Sequence, residues 1–283
     1  RKTWTGTVYG LTVAPNPDGR RLYIADSICV HNSIYGFRGA VTNSMDALKA
    51  RFALADFPLT CSFRCPRAVI DEARAFVPYI RSAPDAPSGR VTQHNEDWSL
   101  DQIPGSAAIL CRYNAPLVAL AYEFLAAGRH VNMLGRDFCK GLERLIKKLA
   151  VEPIEPFLAR LTLWRDAEVR KAQVAGKDSK AQRIEDQAEA LISLSHVSEA
   201  KTASDLIEFL RRMTASDSGV TLSSIHRAKG LEWREVFFLG RERLPRRGLT
   251  GEALQQELNC IYVAITRAQE HLHYIPQKSR KED

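Results

Sequence analysis

The pattern of apolar and polar positions changes character three times along the chain. Residues 5–13 (TGTVYGLTV) and 22–30 (LYIADSICV) are rich in β-branched and aromatic side chains. Pro15-Asn-Pro-Asp-Gly19 lies between them, so the stretch predicts an N-terminal β-hairpin. From Ser33 the texture becomes mixed. Asn43–Phe52 predicts a short helix, and Pro66–Ile80 a second one with Pro66 in its first turn. Residues 81–105 read as loop, because Pro84, Pro87, Gly89 and Pro104 interrupt any period. Ala107–Cys111 predicts a strand, and Ala115–Ala127 a helix ended by Gly128. Residues 138–214 have helical spacing, at Leu142, Leu145, Ile146 and Leu149 and again at Phe157, Leu161 and Trp164. Within them, Arg165–Gln187 is dense in charge and predicts an exposed helix face. Strand texture returns at Val220–Ile225 and Glu235–Leu239, followed by a helix at Glu252–Ala268 and a last strand at His271–Ile275. The alternation predicts an α/β fold: a mainly parallel sheet flanked by helices, with an all-helical insertion and an N-terminal hairpin.

Composition adds bounds. The 283 residues allow one large domain or two ordinary ones. No apolar run approaches the roughly 20 residues that a membrane helix needs, so no membrane partner is expected. No signal peptide is recognisable, and a start at Arg1 predicts a fragment or a processed piece of something longer. The net charge of +7 favours polyanionic partners, although many basic proteins carry such a charge without one. Cysteines stand at 29, 61, 65, 111, 139 and 260. Only Cys61 and Cys65 are close, and no second pair or His cluster completes a zinc site, so no metal site is expected in the chain. The cysteines read as buried reduced thiols, which implies a cytoplasmic setting.

Candidate chemistry begins at His31-Asn32-Ser33. The Asn32 side-chain amide can attack its own backbone carbonyl, forming a succinimide and expelling the amine of Ser33. His31 can protonate that leaving amine or polarise the carbonyl, and the Ser33 hydroxyl is a competent acyl acceptor. Together with Thr7-Val-Tyr-Gly-Leu-Thr-Val13 and Tyr23-Ile-Ala-Asp-Ser-Ile-Cys-Val30, this resembles the C-terminal end of inteins. The resemblance implies protein splicing at Asn32-Ser33 with a separate N-terminal intein half. Gly10 stands where the family usually has an acidic residue or Cys, and Arg21 near the expected His.

A second set of blocks follows in order. These are Ser33-Ile-Tyr-Gly-Phe-Arg-Gly-Ala40, Leu59-Thr-Cys-Ser-Phe-Arg-Cys-Pro66, Ile109-Leu-Cys-Arg-Tyr-Asn114, Val220–Trp233 and Glu257–Ala268. Together they resemble the C-terminal half of superfamily 1 DNA helicases of the UvrD/Rep/PcrA kind. The resemblance implies ATP with Mg2+ as cofactor, single-stranded and duplex DNA as partners, and 3′-to-5′ movement. Arg64 and Arg267 stand in the blocks that contact the γ-phosphate in the family, and an arginine suits charge developing on a transferred phosphoryl group. Phe63 stands where the family stacks an aromatic on adenine, and Glu232 matches its ribose-binding acid. Lys229 and Gly230 share that turn, the lysine as a phosphate contact and the glycine as a source of backbone freedom. On the DNA side, Phe37 matches a base-stacking aromatic, Arg38 and His226 backbone contacts, and Ser224 a hydroxyl donor to phosphate.

No G-x-x-x-x-G-K-[ST] occurs in the sequence, and Val69-Ile-Asp-Glu72 falls in a predicted helix rather than at a strand end. In the family that these blocks resemble, the phosphate loop and magnesium ligands precede the Ser33 block, so the resemblance implies an N-terminal helicase half that must be supplied as a partner. The implied boundaries are 1–32 for the intein segment, 33–52 for the end of a first RecA-like domain, 53–137 with 215–283 for the second, and 138–214 for a helical subdomain. Two other classes fit the same residues: a splicing precursor, and a single-stranded DNA-binding module that never hydrolyses ATP.

Overall fold

The computed structural model describes residues 22–25, 28–31 and 60–278. The chain divides into two compact units, residues 1–57 and 58–283. The strand expected at 5–13 and the helix expected at Asn43–Phe52 lie outside the described residues, as do Gly10, Arg21, Asn32, Ser33, Phe37 and Arg38.

In the first unit, β1 (Leu22–Ala25) pairs antiparallel with β2 (Ile28–His31), in a register that joins Leu22 to His31 and Ala25 to Ile28. This corrects the expected single strand over 22–30: the segment divides at positions 26–27 and its two halves pair with each other.

The second unit is built on a six-stranded sheet of order β5-β10-β9-β6-β8-β7, with every neighbouring pair parallel. Its strands are β5 (Arg90–Gln93), β6 (Ala108–Cys111), β7 (Val131–Leu134), β8 (Val220–Ser224), β9 (Trp233–Leu239) and β10 (Ala268–Ile275). The α/β expectation of a parallel sheet flanked by helices holds. β6 is central, and each of its residues is buried. That is why it reads as an unbroken apolar run rather than an alternation. The short strands β3 (Cys61–Ser62) and β4 (Arg81–Ser82) form a separate parallel pair.

The two edge strands depart from the sequence reading. β5 lies inside the expected loop 81–105, and β7 carried no expectation. An edge strand pairs on one side only and is less buried, so its residues can stay polar, as Arg90 and Gln93 do. β7 and β8 are neighbours, and their starts approach closely. Gly219 (φ +96°) leads into β8 where a Cβ would fall 2.0 Å from the His130 carbonyl oxygen.

α1 (Arg67–Ala73) is shorter than the expected Pro66–Ile80 and contains the Val69-Ile-Asp-Glu72 segment, whose Glu72 accepts from the Tyr274 hydroxyl at 3.1 Å. α2 (Ala115–Ala126) follows β6 and buries Leu117, Val118, Ala121 and Phe124. The crossover from β7 to β8 carries four helices: α3 (Arg136–Leu149), α4 (Ile154–Val174), α5 (Asp178–Ser198) and α6 (Ala203–Met213). They share one apolar core with α2 and one face of the sheet, through Leu142, Phe157, Leu191 and Leu210. Each such side chain contributes about 1.5–3 kcal/mol by leaving water. Thr202 begins α6 with a capping box to Asp205. α7 (Gly251–Ile265) covers the sheet between β9 and β10.

The expected exposed face at Arg165–Gln187 is only partly so. Ala172, Ala181 and Ile184 are buried, and Gln182 and Asp186 turn back toward the sheet. Among the described cysteines, Cys65, Cys111, Cys139 and Cys260 are buried free thiols, whereas Cys61 is exposed. Among the described residues, no helix is long and apolar enough to cross a membrane.

Candidate functional site

The register of the sheet separates two groups of candidate residues. Ser224 lies level with Cys111 on β6, and Cys111 is level with Leu239 on β9. Glu232 precedes the first residue of β9, so it lies about 20 Å from Ser224 along the strand direction, at roughly 3.3 Å per residue. The turn from Ile225 to Glu232 therefore runs from the C-terminal end of β8 to the N-terminal end of β9.

At the N-terminal end, residues from three separated segments converge. Arg64, just after β3, donates its Nε–H to Glu232 Oε2, and Gln269 Nε2 donates to Glu232 Oε1 at 2.9 Å. The Arg64 and Glu232 side chains are partly exposed. Phe63 is 73% exposed, an unusual position for so large an apolar ring. Arg267 is different: it is 8% exposed. Its Nε donates to the Val263 carbonyl at 3.0 Å, one terminal nitrogen to the Leu231 carbonyl at 3.0 Å and the other to Thr266 Oγ1 at 3.2 Å. It thereby ties the end of α7 to the turn that carries Glu232.

Cys65 lies beneath this group, its Sγ 3.5 Å from the Thr266 carbonyl. Burial pushes its thiol up, against the opposing influence of a Ser62 hydrogen bond and the Arg64 and Arg267 charges. Tyr262 is raised first by burial and next by Cys65. Lys229 is half-buried and Gly230 is exposed at φ +89°, a left-handed conformation that suits glycine.

The C-terminal end carries the other group. Ser224 is buried, and its carbonyl accepts from Arg227 N at 2.9 Å and Ala228 N at 3.1 Å, which turns the chain sharply after β8. His226 is half-buried, with Nε2 3.4 Å from Cys260 Sγ on α7. Beyond β6, Arg112 Nε donates to Glu257 Oε1 at 2.7 Å, and a second nitrogen to Gln182 Oε1 at 3.3 Å. Burial works most strongly against the Arg112 charge, but Glu257 together with Cys260 and Tyr113 overcomes it and the guanidinium pKa is raised. Asp186 on α5 caps α2, accepting from Asn114 N and Ala115 N at 2.9 Å and from Asn114 Nδ2 at 2.7 Å. A groove of about 590 Å³ opens here between the helical layer and the sheet, lined by Tyr113, Arg165, Gln182, Arg243 and Arg246 among others.

The structure thus brings Phe63, Arg64, Glu232 and Arg267 to one end of the sheet and Ser224 and His226 to the other. It adds Gln269, Arg112, Gln182 and Asp186, which sequence reading did not single out. Asn114, immediately before the Ala115 helix, was the available signal for a cap, but its partner is a distant carboxylate that spacing alone does not show. His31 ends β2, and nothing more of its site lies within the described residues.

Residues 136–279 match the family described as UvrD-like helicase C-terminal domain. The chain is 31% identical over 127 residues to F-box DNA helicase protein 1 of Schizosaccharomyces pombe, covering 42% of this chain and 14% of the relative. It is 42% identical over 78 residues to ATP-dependent DNA helicase UvrD2 of Mycobacterium tuberculosis, covering 24% of this chain and 11% of the relative. The chain spans about 10–14% of the length of the curated relatives it matches. A solved C-terminal domain of a possible DNA helicase from Lactobacillus is 15% identical, with a TM-score of 0.36, covering 77% of this chain and 89% of that one.

Proposed function

The chain belongs to the UvrD-like helicase C-terminal domain family, and from that premise we propose that it is the C-terminal half of an ATP-dependent DNA helicase, moving 3′ to 5′ on single-stranded DNA. Its boundaries follow: residues 33–52 finish a first RecA-like domain, 53–137 and 215–283 make the second, and 138–214 form the helical subdomain. One observation carries the reading: Phe63, Arg64, Glu232 and Arg267 come from distant segments yet gather at one end of the sheet.

These groups fit a nucleotide. The exposed Phe63 face can stack on a base. Glu232 can accept a ribose hydroxyl proton if it exchanges its Gln269 bond. Arg64 is partly exposed and planar, suited to developing phosphoryl charge. Arg267, bonded to two carbonyls, adds fixed positive charge and holds the Glu232 turn in place. Lys229 and Gly230 extend the same turn toward phosphate. ATP with Mg2+ would supply the phosphoryl transfer, with the phosphate loop and the magnesium ligands coming from an N-terminal helicase half.

At the opposite end, Ser224 and His226 face the DNA task; Phe37 and Arg38, outside the described residues, keep the DNA-binding roles that the resemblance implies. Stacking by Phe37 would contribute about 1–3 kcal/mol per base without regard to sequence. The turn from Ile225 to Glu232 then links the DNA end to the nucleotide end and can pass strain between them. Phe63→Ala tests the nucleotide reading. With the N-terminal half supplied, it raises the KM for ATP at least about tenfold and leaves thermal stability unchanged. An unaltered KM would overturn the assignment.

A second reading applies to residues 1–32, because β1 and β2 form a hairpin whose last residue is His31, directly before Asn32-Ser33. We propose an intein C-terminal segment there, with Asn32 cyclising, His31 assisting and Ser33 as acceptor. Mixing with a matching N-terminal intein half should yield a ligated product that lacks residues 1–32. Mass spectrometry showing neither product nor loss of that segment would sink active splicing.

A further inference from the structure

Sequence spacing showed no His cluster, but the sheet assembles one from three strands. His271 and His273 are two residues apart on β10, so both rings project from the same face. The parallel register places His271 beside Glu235 of β9, and His273 beside Phe237 of β9 and Thr92 of β5. Ligand atoms of Glu235, His271 and His273 all lie within 4.8 Å of one another. The two imidazole centroids are 3.7 Å apart.

The surroundings hold these rings in place. His273 is 8% exposed and stacks on Phe237 at 4.1 Å with the planes 4° apart. Its Nδ1 lies 3.0 Å from His94 Nε2, just beyond β5. His271 Nε2 lies 2.8 Å from the Thr92 hydroxyl. The remaining nitrogen of His273, Nε2, is buried without a hydrogen-bond partner, although Glu235 Oε2 stands 3.4 Å away. Such an orphan is destabilising if nothing satisfies it.

We propose that Glu235, His271 and His273 bind a borderline divalent transition-metal ion of the Zn2+ class. Two imidazoles and a carboxylate are the donor set of such ions, whereas Mg2+ and Ca2+ favour oxygen alone. Tetrahedral Zn2+ sets its ligand atoms roughly 3.3 Å apart, given bonds of about 2.0 Å, so small side-chain rotations close the site. His273 would ligate through Nε2. Its proton would then sit on Nδ1 and be donated to His94 Nε2. His94 is therefore a positioning residue, fixing the tautomer and ring plane. Glu235 and His271 are half-buried, leaving an entry path and a fourth position for water. Because the ligands span β9 and β10 and His94 follows β5, the ion would clamp this edge of the sheet.

The test uses the full chain without a polyhistidine tag, stripped with a chelator and titrated with Zn2+ alone and Co2+ alone. Calorimetry should show one equivalent bound with micromolar affinity or better. Co2+ should give the visible absorption of a four-coordinate site, and the melting temperature should rise with metal. His271→Gln and Glu235→Gln should each weaken binding at least about tenfold, and His94→Phe about 10–100-fold, while Cys61→Ser changes nothing. Thermal transitions of the chelated variants that match the chelated parent establish that the fold is intact. Should His271→Gln fail to fold, Glu235→Gln carries the test. No binding of either ion at 100-fold excess overturns the proposal, and so does binding that survives both ligand substitutions.

Discussion

Arg64 donates its Nε proton to Glu232 across 168 residues of sequence. Both side chains are about a third or more exposed, at 33% and 43%. An ion pair so placed contributes only about 0–1 kcal/mol to stability, because water screens it and two long side chains must be ordered. The fold therefore gains little from the pair. A nucleotide could gain much, because the pair holds a planar cation and a carboxylate at fixed positions beside the exposed Phe63.

Arg64→Ala should accordingly leave the melting temperature within a few degrees of the parent. In the motor completed with its N-terminal half, DNA-stimulated ATP turnover should fall by about 10³-fold or more, the range found for arginines that stabilise transferring phosphoryl groups. Arg64→Lys should not restore it, since an ammonium lacks the planar fork. Parent-like turnover in Arg64→Ala would remove this residue from the chemistry.

Arg267→Ala should behave differently. The guanidinium is buried, and its loss takes a donor from the Leu231 and Val263 carbonyls and from the Thr266 hydroxyl, of which the last two still bond each other at 3.3 Å. Each buried group left unpaired costs about 1–3 kcal/mol. Urea denaturation should show a clear loss of stability, together with abolished ATPase in the completed motor. DNA affinity should stay close to that of the parent, since this arginine belongs to the opposite end of the sheet. A fully stable Arg267→Ala chain would contradict the anchoring role.

Why some of this was legible and some was not follows from where each residue lies. The centre of the sheet was readable because burial on both faces forces unbroken apolar runs such as Ala107–Cys111. β5 was not, because an edge strand tolerates Arg90 and Gln93, and Pro84, Pro87 and Gly89 pointed to loop. The helical insertion was readable from its period, but its attachment was not. Gln182 and Asp186 look like surface polar residues until α5 is folded against the start of α2. Phe63, Arg64, Glu232 and Arg267 were legible only as pieces of separate motifs. Their convergence, and the difference in burial between the two arginines, required the tertiary structure.

The Arg112–Glu257 pair tests how the second unit tolerates buried charge. Glu257 is 4% exposed and sits 2.7 Å from Arg112 Nε. Arg112→Met should cost about 3–5 kcal/mol, because it strands a buried carboxylate. The double variant Arg112→Met/Glu257→Leu should recover most of that loss, since replacing both charges by apolar groups of similar volume is often neutral. A double-mutant cycle by urea denaturation measures it. A double variant as unstable as the single one would mean that the pair's hydrogen bonds, including that to Gln182, matter more than its charge.

Asp186 supplies a pH-dependent prediction. Burial is the main reason its carboxyl is raised above the ordinary 3.8, and the bonds from Asn114 and Ala115 offset this only in part. The sign follows from proton counts. A carboxyl with a raised pKa holds more protons in the folded chain than in the unfolded one, so folding loses stability as pH rises. That contribution is fully present below 3.8 and disappears as pH climbs through the raised folded value. Asp186→Asn keeps an oxygen to cap Ala115 but cannot ionise, so it lacks this slope. The unfolding free energy of Asp186→Asn minus that of the parent should therefore increase with pH across this window and then level off. Urea denaturation at closely spaced pH values checks it. A difference that is flat with pH would show that the capping bonds cancel the burial cost, and a decrease would show that they exceed it.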